Sequence, residues 1–107
     1  MVPFNLASAV NACGGEFHGE KSLLTQSVPG VSIDSRTVGK GFLFIPIRGE
    51  RFDGHDFIPA AFDARALCCL SEKPVEGRPH ILVASTQDAF QLLAAYYRSL
   101  FPIPAVA

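Results

Sequence analysis

The chain has 107 residues, of which 49% are hydrophobic and 18% charged, and its formal net charge is −1. This composition predicts one globular domain with a modest core and excludes a disordered chain. It also argues against general binding to nucleic acid or anionic membranes, which needs clustered Lys and Arg. No apolar run reaches the ~20 residues of a membrane span, and no signal peptide is evident, so we expect a cytoplasmic protein.

The first element in chain order is a predicted short helix in FNLASAVNACGG. Leu6, Val10 and Cys13 would share one face of this helix, and the Gly14-Gly15 pair supplies a stop signal. The following stretch, EFHGEKSLLTQSVPG, is polar and broken by Gly and Pro. It predicts a hairpin or irregular strands.

Two strands are predicted next. VSIDSR alternates in character, which places on opposite sides of a strand Val31, Ile33 and Ser35 on the one hand and Ser32 and Asp34 on the other. The run FLFIPI is apolar at every position, so it predicts a strand that is buried on both faces, with Pro46 near its exit.

A second helix is predicted in DFIPAAFDARA, followed by the short strands LCCLS and HILVAS. Pro59 is tolerated in this helix because it falls in the first turn, where the backbone N–H groups have no helical partner. The residues expected to face the sheet are Phe57, Ile58, Ala61 and Phe62.

The clearest helix lies in STQDAFQLLAAYYRSLF. Ser85 and Asp88 resemble a capping box, and one apolar stripe is formed by Phe90, Leu93, Tyr97 and Leu100. Strands that alternate with helices predict an α/β fold, in which helices pack on a small mixed sheet of short strands.

The tail FPIPAVA carries two prolines, Pro102 and Pro104, which end the last helix and make a stiff connector. AVA then resembles the start of another buried strand. We therefore interpret residues 1–101 as one domain, and residues 102–107 as a linker and the first strand of a further domain. The alternative interpretation is a frayed C-terminal tail.

A search for catalytic motifs finds no H-E-x-x-H, no G-x-S-x-G and no G-x-x-x-x-G-K-[ST] in the chain. The three Cys have no C-x-x-C spacing. Cys68 and Cys69 are strand neighbours that would point to opposite faces, and buried packing is favoured over a metal site or a vicinal disulfide. His18 and His80 each stand alone beside a strand and are expected at the surface or as satisfied core residues. We expect neither a catalytic residue nor a metal site.

Two polar stretches remain, IDSR and RGERFDGHD, and each follows a predicted strand. In α/β folds, ligands bind beyond the carboxyl ends of strands. Gly49 and Gly54 would let the backbone approach a ligand closely. Arg36, Arg48 and Arg51 could reach a phosphate. Ser35 could donate a hydrogen bond, and Phe52 could cover a flat ring.

A purely structural role for these stretches is equally physical. Arg36 would then brace Asp34, Phe52 would belong to the core, and Asp56 would be an ordinary N-cap. Asp53 and Asp56 also place negative charge near the proposed anion site. The residues alone leave both interpretations open.

The segment GVSIDSRTVGKGFLFIPIRGERFDGHDFIPAAF resembles the N-terminal domain of the Mur ligases. The motifs that carry this resemblance are Asp34-Ser35-Arg36, Gly41-Phe42-Leu43-Phe44 and the loop Gly49 to Phe57. The loop favours the MurF type, which adds D-alanyl-D-alanine to UDP-N-acetylmuramoyl-tripeptide. The alternatives are a ligase of another specificity, such as the MurE type, and a stand-alone interaction module.

The resemblance implies that this domain binds the UDP end of UDP-N-acetylmuramoyl-tripeptide. Central and C-terminal domains, which this chain lacks, would use ATP and Mg²⁺, so this chain by itself is expected to bind neither and to be non-catalytic. In that family, backbone groups of the loop would contact uracil, Ser35 a phosphate or a uracil edge, and His55 would contact ligand or orient the loop. The substrate-contacting set implied is Ser35, Arg36, Gly49, Glu50, Arg51, Phe52, Asp53 and His55.

Overall fold

The computed structural model describes residues 5–47, 49 and 53–100. Within these ranges the chain forms three α-helices and five strands, in the order α1 (Leu6–Cys13), β1 (Glu16–His18), β2 (Val31–Ser32), β3 (Leu43–Phe44), α2 (Ile58–Asp63), β4 (Cys68–Ser71), β5 (His80–Leu82) and α3 (Thr86–Leu100). Single 3₁₀ turns cover Lys21–Thr25, Ser35–Thr37 and Gly54–Phe57.

The strands form a single sheet in the order β1-β5-β4-β3-β2. The four strands β2 to β5 are parallel, and β1 pairs antiparallel with β5 at one edge. This confirms the prediction of a small mixed sheet with helices packed on it. The carboxyl ends of β2 and β3 therefore lie together, as a ligand site of the α/β type requires.

The two faces of the sheet have separate cores. The register aligns His18, His80, Cys69, Phe44 and Ser32 in one row across all five strands. Phe44 and Cys69 of this row pack with Ile58 and Ala61 of α2. The other face, which includes Cys68, packs with residues of α1 and α3. The prediction that Cys68 and Cys69 point to opposite faces is confirmed.

Helix α1 begins and ends where its side chains predict. The Asn5 side chain accepts a hydrogen bond from the Ser8 backbone N–H at 2.9 Å, which caps the first turn. Gly14 has φ +67° and donates its N–H to the Val10 carbonyl, so the chain leaves the helix through a left-handed residue. The predicted stop at Gly14 is confirmed, and Leu6 and Cys13 are buried as expected.

Of the two alternatives predicted for the stretch between α1 and β2, the hairpin is wrong and irregular strands are closer to the structure. Glu16–His18 forms a short strand whose partner is β5, and Ser27 forms an isolated bridge with Asn5. The following residues Lys21–Thr25 form a 3₁₀ turn, in which the Leu23 N–H donates to the Glu20 carbonyl at 3.0 Å.

The strand predicted for VSIDSR ends early, at Ser32. The Ser32 hydroxyl donates to the Asp34 carbonyl at 2.7 Å and accepts from the Asp34 N–H at 3.1 Å. These local bonds turn the chain and compete with a continued ladder. Ile33 is consequently 50% exposed, and Ser35 lies in a 3₁₀ turn rather than at a strand end.

The second helix also differs from its prediction at its start. Residues Gly54–Phe57 form a 3₁₀ turn that precedes α2, so Phe57 is 40% exposed instead of facing the sheet. Ile58 and Ala61 are buried as expected. The N-cap of the turn is Asp53, and the expectation of Asp56 as the N-cap is wrong.

Helix α3 confirms its predicted cap and apolar stripe as far as the structure describes them. The Ser85 hydroxyl accepts from the Asp88 N–H at 3.2 Å, and Leu93 is 3% exposed. Tyr97 and Leu100 of the stripe have side chains outside the described residues. Among the helices in the described part of the chain, none is long and apolar enough to cross a membrane.

The three cysteines are free thiols, and all are buried. Burial raises the pKa of the Cys68 thiol and raises that of Cys69 to about 12. The described residues contain no group of three His, Cys, Asp or Glu side chains placed to hold a metal ion.

Candidate functional site

A cavity of about 620 Å³ opens beyond the carboxyl ends of β2 and β3. We call it the first cavity. Its lining combines the turn after β2, the exit of β3 and the loop before α2, and consists of Ile33, Asp34, Ser35, Arg36, Phe44, Ile47, Gly49, Gly54 and Phe57. The two polar stretches singled out in the sequence therefore face one another across a single space.

The turn after β2 is held by Asp34 and Arg36. The Asp34 carboxylate accepts a hydrogen bond from the Arg36 backbone N–H at 2.9 Å. It also accepts from the Arg36 guanidinium, through Nε at 3.1 and 3.2 Å and through Nη2 at 2.8 Å. Side-chain and then backbone hydrogen bonds from Arg36 lower the pKa of Asp34 to about 2. The carboxylate raises the pKa of Arg36 in return.

These contacts support the bracing role for Arg36 that the sequence left open. The guanidinium is committed to Asp34, although 87% of the Arg36 side chain remains exposed to solvent. The charge of Asp34 is balanced by its neighbour, so this turn presents a nearly neutral ion pair to the cavity. The Asp34–Arg36 pair therefore does not form a strongly cationic site for phosphate.

Ser35 occupies the centre of the same turn. It is partly exposed and lines the first cavity. Within the part of the chain that the structure describes, its hydroxyl makes no hydrogen bond to another protein group. A partly exposed hydroxyl at the lip of a cavity is available to donate to, or accept from, a bound molecule.

The opposite wall of the cavity is closed by Gly54. Its N–H donates to the Ile47 carbonyl at 3.0 Å. A Cβ at this position would lie 2.6 Å from the Ile47 nitrogen and 2.8 Å from the Ile47 oxygen. The backbone of the loop therefore approaches the exit of β3 more closely than any other residue type permits.

Asp53 and His55 do not line the cavity, but their hydrogen bonds stabilise this loop. The Asp53 carboxylate accepts from the His55 backbone N–H at 2.9 Å and lies 2.6 Å from His55 Nδ1. His55 Nε2 accepts from the Glu72 backbone N–H at 3.0 Å. Since Nε2 is an acceptor, the neutral ring carries its proton on Nδ1 and donates it to Asp53.

Glu72 extends this set of contacts to α3. Its carboxylate accepts from the Thr86 backbone N–H at 2.9 Å and from the Thr86 hydroxyl at 3.3 Å. Thr86 is the first residue of α3 and is 1% exposed. The loop before α2, the end of β4 and the start of α3 are thus joined by consecutive hydrogen bonds.

Of the predicted site residues, Ser35, Arg36 and Gly49 line the first cavity. Asp53 and His55 stand outside its lining and position the loop behind it. Glu50, Arg51 and Phe52, together with Arg48, lie outside the described residues.

The apolar side chains of the cavity lining were not predicted as site residues. Ile33, Phe44, Ile47 and Phe57 were assigned to strands or to the core, yet each borders the first cavity. The early end of β2 and the 3₁₀ start of α2 bring Ile33 and Phe57 to this surface. A hydroxyl residue followed by Asp within two positions signals such a local turn.

A second cavity, of about 520 Å³, lies at the amino end of β5. His18 stacks on His80 there, with ring centroids 5.0 Å apart. Both ring nitrogens of His80 are used, since Nδ1 contacts the Arg78 carbonyl at 2.9 Å and Nε2 accepts from the Val75 N–H at 3.3 Å. The prediction of a satisfied core residue is confirmed for His80, which is 5% exposed.

Two further side chains of the second cavity, His18 and Arg78, also contact protein groups. His18 Nε2 lies 3.3 Å from a Glu16 carboxylate oxygen. The Arg78 guanidinium sits 4.9 Å from the centre of the Phe62 ring, at a cation–π distance. His18, Arg78 and His80 therefore contact protein groups, while Glu20 is an exposed member of the same lining.

Comparisons with known proteins show the family of this chain. A sequence model described as Mur ligase family, catalytic domain, matches residues 27–98, which is more than half of the chain. The chain belongs to the Mur ligase family. Mur ligases are ATP-dependent ligases of peptidoglycan-precursor synthesis.

Two curated relatives show the range of specificities nearby. The UDP-N-acetylmuramoyl-tripeptide–D-alanyl-D-alanine ligase of Synechocystis sp. is 41% identical over 80 residues, which are 71% of this chain and 18% of that protein. The UDP-N-acetylmuramoyl-L-alanyl-D-glutamate–2,6-diaminopimelate ligase of Aquifex aeolicus is 41% identical over 69 residues, which are 64% of this chain and 14% of that protein.

The fold comparison agrees. The crystal structure of MurF from Acinetobacter baumannii superposes with a TM-score of 0.82 at 26% sequence identity, over 94% of this chain and 22% of that one. The chain thus spans less than a quarter of the length of these relatives.

Proposed function

We propose that this chain is the domain of a MurF-type ligase that binds the UDP end of UDP-N-acetylmuramoyl-tripeptide. The observation that carries the proposal is the first cavity, where the Asp34–Arg36 turn faces Gly49 and Gly54 at the carboxyl ends of two parallel strands. This is the place where open α/β sheets bind nucleotides.

The lining suits a nucleoside diphosphate that is held more by its base than by its phosphates. The apolar side chains of Ile33, Ile47 and Phe57 offer walls for a flat ring. The Ser35 hydroxyl and the backbone at Gly49 offer hydrogen bonds to polar edges. The Arg36 charge is shared with Asp34, so its attraction for a phosphate is reduced.

The proposal predicts weak binding of UDP by this chain, with a Kd of about 0.1–1 mM, or roughly 4–5.5 kcal/mol. UMP should bind within about tenfold of UDP, because the base dominates. CDP should bind more weakly than UDP, since a cytosine edge leaves uracil-reading groups unpaired. Calorimetric titration of the three nucleotides tests this order, and equal affinity for UDP and CDP would contradict it.

Ser35→Ala provides the matched variant for this titration. It removes the hydroxyl at the lip of the cavity and leaves the backbone contacts of the turn in place. We expect UDP affinity to fall by about three- to tenfold, the worth of one hydrogen bond. The control is Ser22→Ala, on an exposed 3₁₀ turn away from the cavity, which should not change the affinity.

In the complete ligase we propose the reaction of the MurF type. The tripeptide carboxylate would take a phosphoryl group from ATP in the presence of Mg²⁺, and ADP would leave. The amine of D-alanyl-D-alanine would then attack the acyl phosphate, releasing phosphate and a proton as the amide forms. We propose that central and C-terminal domains carry out these steps. Since residues 1–107 contain no G-x-x-x-x-G-K-[ST] motif, this chain should show no micromolar MgATP binding in calorimetry.

A MurE-type specificity is the second candidate, and the Aquifex aeolicus relative favours it. It differs from the first in the peptide and in the amine that is added, not in the UDP end. Assay of the complete ligase with D-alanyl-D-alanine and with diaminopimelate separates the two. Turnover only with diaminopimelate would overturn the MurF assignment and leave the UDP-binding proposal intact.

A further inference from the structure

His55 and His80 form the same arrangement of hydrogen bonds, and both contact the connection between β4 and β5. His55 places Nδ1 at 2.6 Å from Asp53, two residues before it, and accepts at Nε2 from the Glu72 N–H. His80 places Nδ1 at 2.9 Å from the Arg78 carbonyl, also two residues before it, and accepts at Nε2 from the Val75 N–H. The connection between β4 and β5 is fixed by one imidazole at each end.

Only one of these imidazoles also belongs to the loop that closes the first cavity. Gly54, which lines that cavity, lies between Asp53 and His55. The His55 side chain is 14% exposed, and both of its ring nitrogens already have protein partners. A buried ring with both nitrogens engaged is suited to hold a loop rather than to bond a ligand.

We propose that His55 is a positioning residue for the first cavity. It fixes Gly54, in the loop before α2, to the end of β4 through the Glu72 N–H, and UDP affinity depends on that anchor without direct contact between the ring and the nucleotide. The inference rests on the proposed function for the identity of the ligand. Its physical basis is preorganisation, since a loop already held in its binding conformation loses less entropy when the ligand arrives.

Two substitutions at His55 separate the two bonds. His55→Gln carries an amide oxygen far enough from the backbone to accept from the Glu72 N–H. His55→Asn keeps a short donor near Asp53 but does not reach Glu72. We expect His55→Asn to lower UDP affinity by about tenfold, the worth of one hydrogen bond, and His55→Gln to restore it to within about threefold of the parent.

His80→Gln is the matched control, because it alters the equivalent ring at the second cavity. UDP affinity should stay within about twofold of the parent in this variant if it retains the amide spectrum of the folded chain. Should it fail to fold, His18→Gln, an exposed member of the same stack, serves in its place.

Long-range ¹H–¹⁵N spectra of the imidazoles provide a readout that a general loss of stability does not move. His55 should carry its proton on Nδ1 with an unprotonated Nε2, both free and with UDP bound. A proton on Nε2, a UDP-induced shift larger at the ring than at the Gly49 amide, or parent-like UDP affinity in His55→Asn would each overturn the positioning role.

Failure of the proposed function gives a different result. If the parent chain does not bind UDP, the ligand assignment is overturned, and hydrogen exchange at the Gly54 amide then decides the positioning role. Faster exchange of Gly54 in His55→Asn, with unchanged exchange in the α3 helix, supports the anchor. Unchanged exchange at Gly54 overturns it.

Discussion

The two cavities differ in what their polar groups are engaged with. At the first cavity, side chains such as Asp34, Asp53 and His55 hold backbone turns, and the Ser35 hydroxyl is left facing the space. At the second, both ring nitrogens of His80 bond to protein groups, and the Arg78 guanidinium lies over the Phe62 ring. The two cavities are similar in volume but differ in the polar groups that they present to a ligand.

The difference shows that cavity size is a poor guide to function in a domain this small. A binding site combines a rigid backbone with a few polar groups that have no partner inside the protein. The first cavity has both properties, and it sits at the carboxyl ends of parallel strands. At the second, His18 stacks on His80 and Arg78 lies over Phe62, so these three side chains stabilise the fold, while Glu20 is exposed.

The largest expected effect comes from Phe44→Ala and Leu93→Ala, each costing about 2–5 kcal/mol of the free energy of unfolding. Phe44 is 1% exposed, packs against α2 and also borders the first cavity, whereas Leu93 packs on the other face of the sheet. Both variants should therefore unfold at lower urea concentration, but only Phe44→Ala should also weaken UDP binding. A Phe44→Ala variant as stable as the parent would contradict the role of β3 in the core.

A pair of glycines gives the next effect, one from each cavity. Gly54→Ala brings a Cβ against the Ile47 backbone and should cost about 1–3 kcal/mol, with UDP affinity reduced at least tenfold. Gly77→Ala meets no atom within 4 Å, and its φ of +76° should cost about 1–2 kcal/mol without changing UDP affinity. Urea unfolding and calorimetry measure both quantities. Equal loss of UDP affinity in the two variants would remove the distinction between the cavities.

The smallest effect concerns pH. Because the pKa of Asp34 is lowered from 3.8 to about 2, its carboxylate contributes stability at pH values above 3.8 and loses that contribution as the pH falls through 2. We expect the carboxyl carbon signal of Asp34 to titrate near pH 2 in the parent. In Arg36→Gln, the midpoint should move toward 3.8, since all three guanidinium hydrogen bonds to Asp34 are lost. An unchanged midpoint in the variant would mean that Arg36 does not brace the turn.

The strands buried on both faces were the most predictable part of the fold. FLFIPI, LCCLS and HILVAS all contain strands, because continuous apolar runs of this length have few other structures open to them. The stop of α1 at Gly14 and the cap of α3 at Ser85 also followed from single side chains. These signals are local, so the sequence contains them directly.

The pairing of β1 was not predictable in the same way. Glu16–His18 is short and polar, and its partner β5 lies more than sixty residues later in the chain. Neither a turn motif nor a periodicity in the sequence connects the two. The same limit applies to the contact between His55 and Glu72, which brings residues 17 positions apart together through the sheet.

The candidate site was predictable in its polar residues and not in its walls. Ser35 and Gly49 stood out because each follows a predicted strand, where α/β folds bind ligands, and because Gly lets the backbone approach a ligand closely. Ile33 and Phe57 did not, because an apolar residue beside a strand is usually buried. Their exposure depends on where the Ser32 and Asp53 turns begin, which is a matter of one or two residues.

Amide shift mapping with UDP tests whether the first cavity is the UDP site. The largest shifts in the ¹H–¹⁵N spectrum should fall on Ser35, Gly49 and Gly54 and saturate at millimolar UDP, with little change at Gly77 or His18. Shifts centred on the second cavity, or spread evenly over the surface, would contradict the assignment of the first cavity as the UDP site.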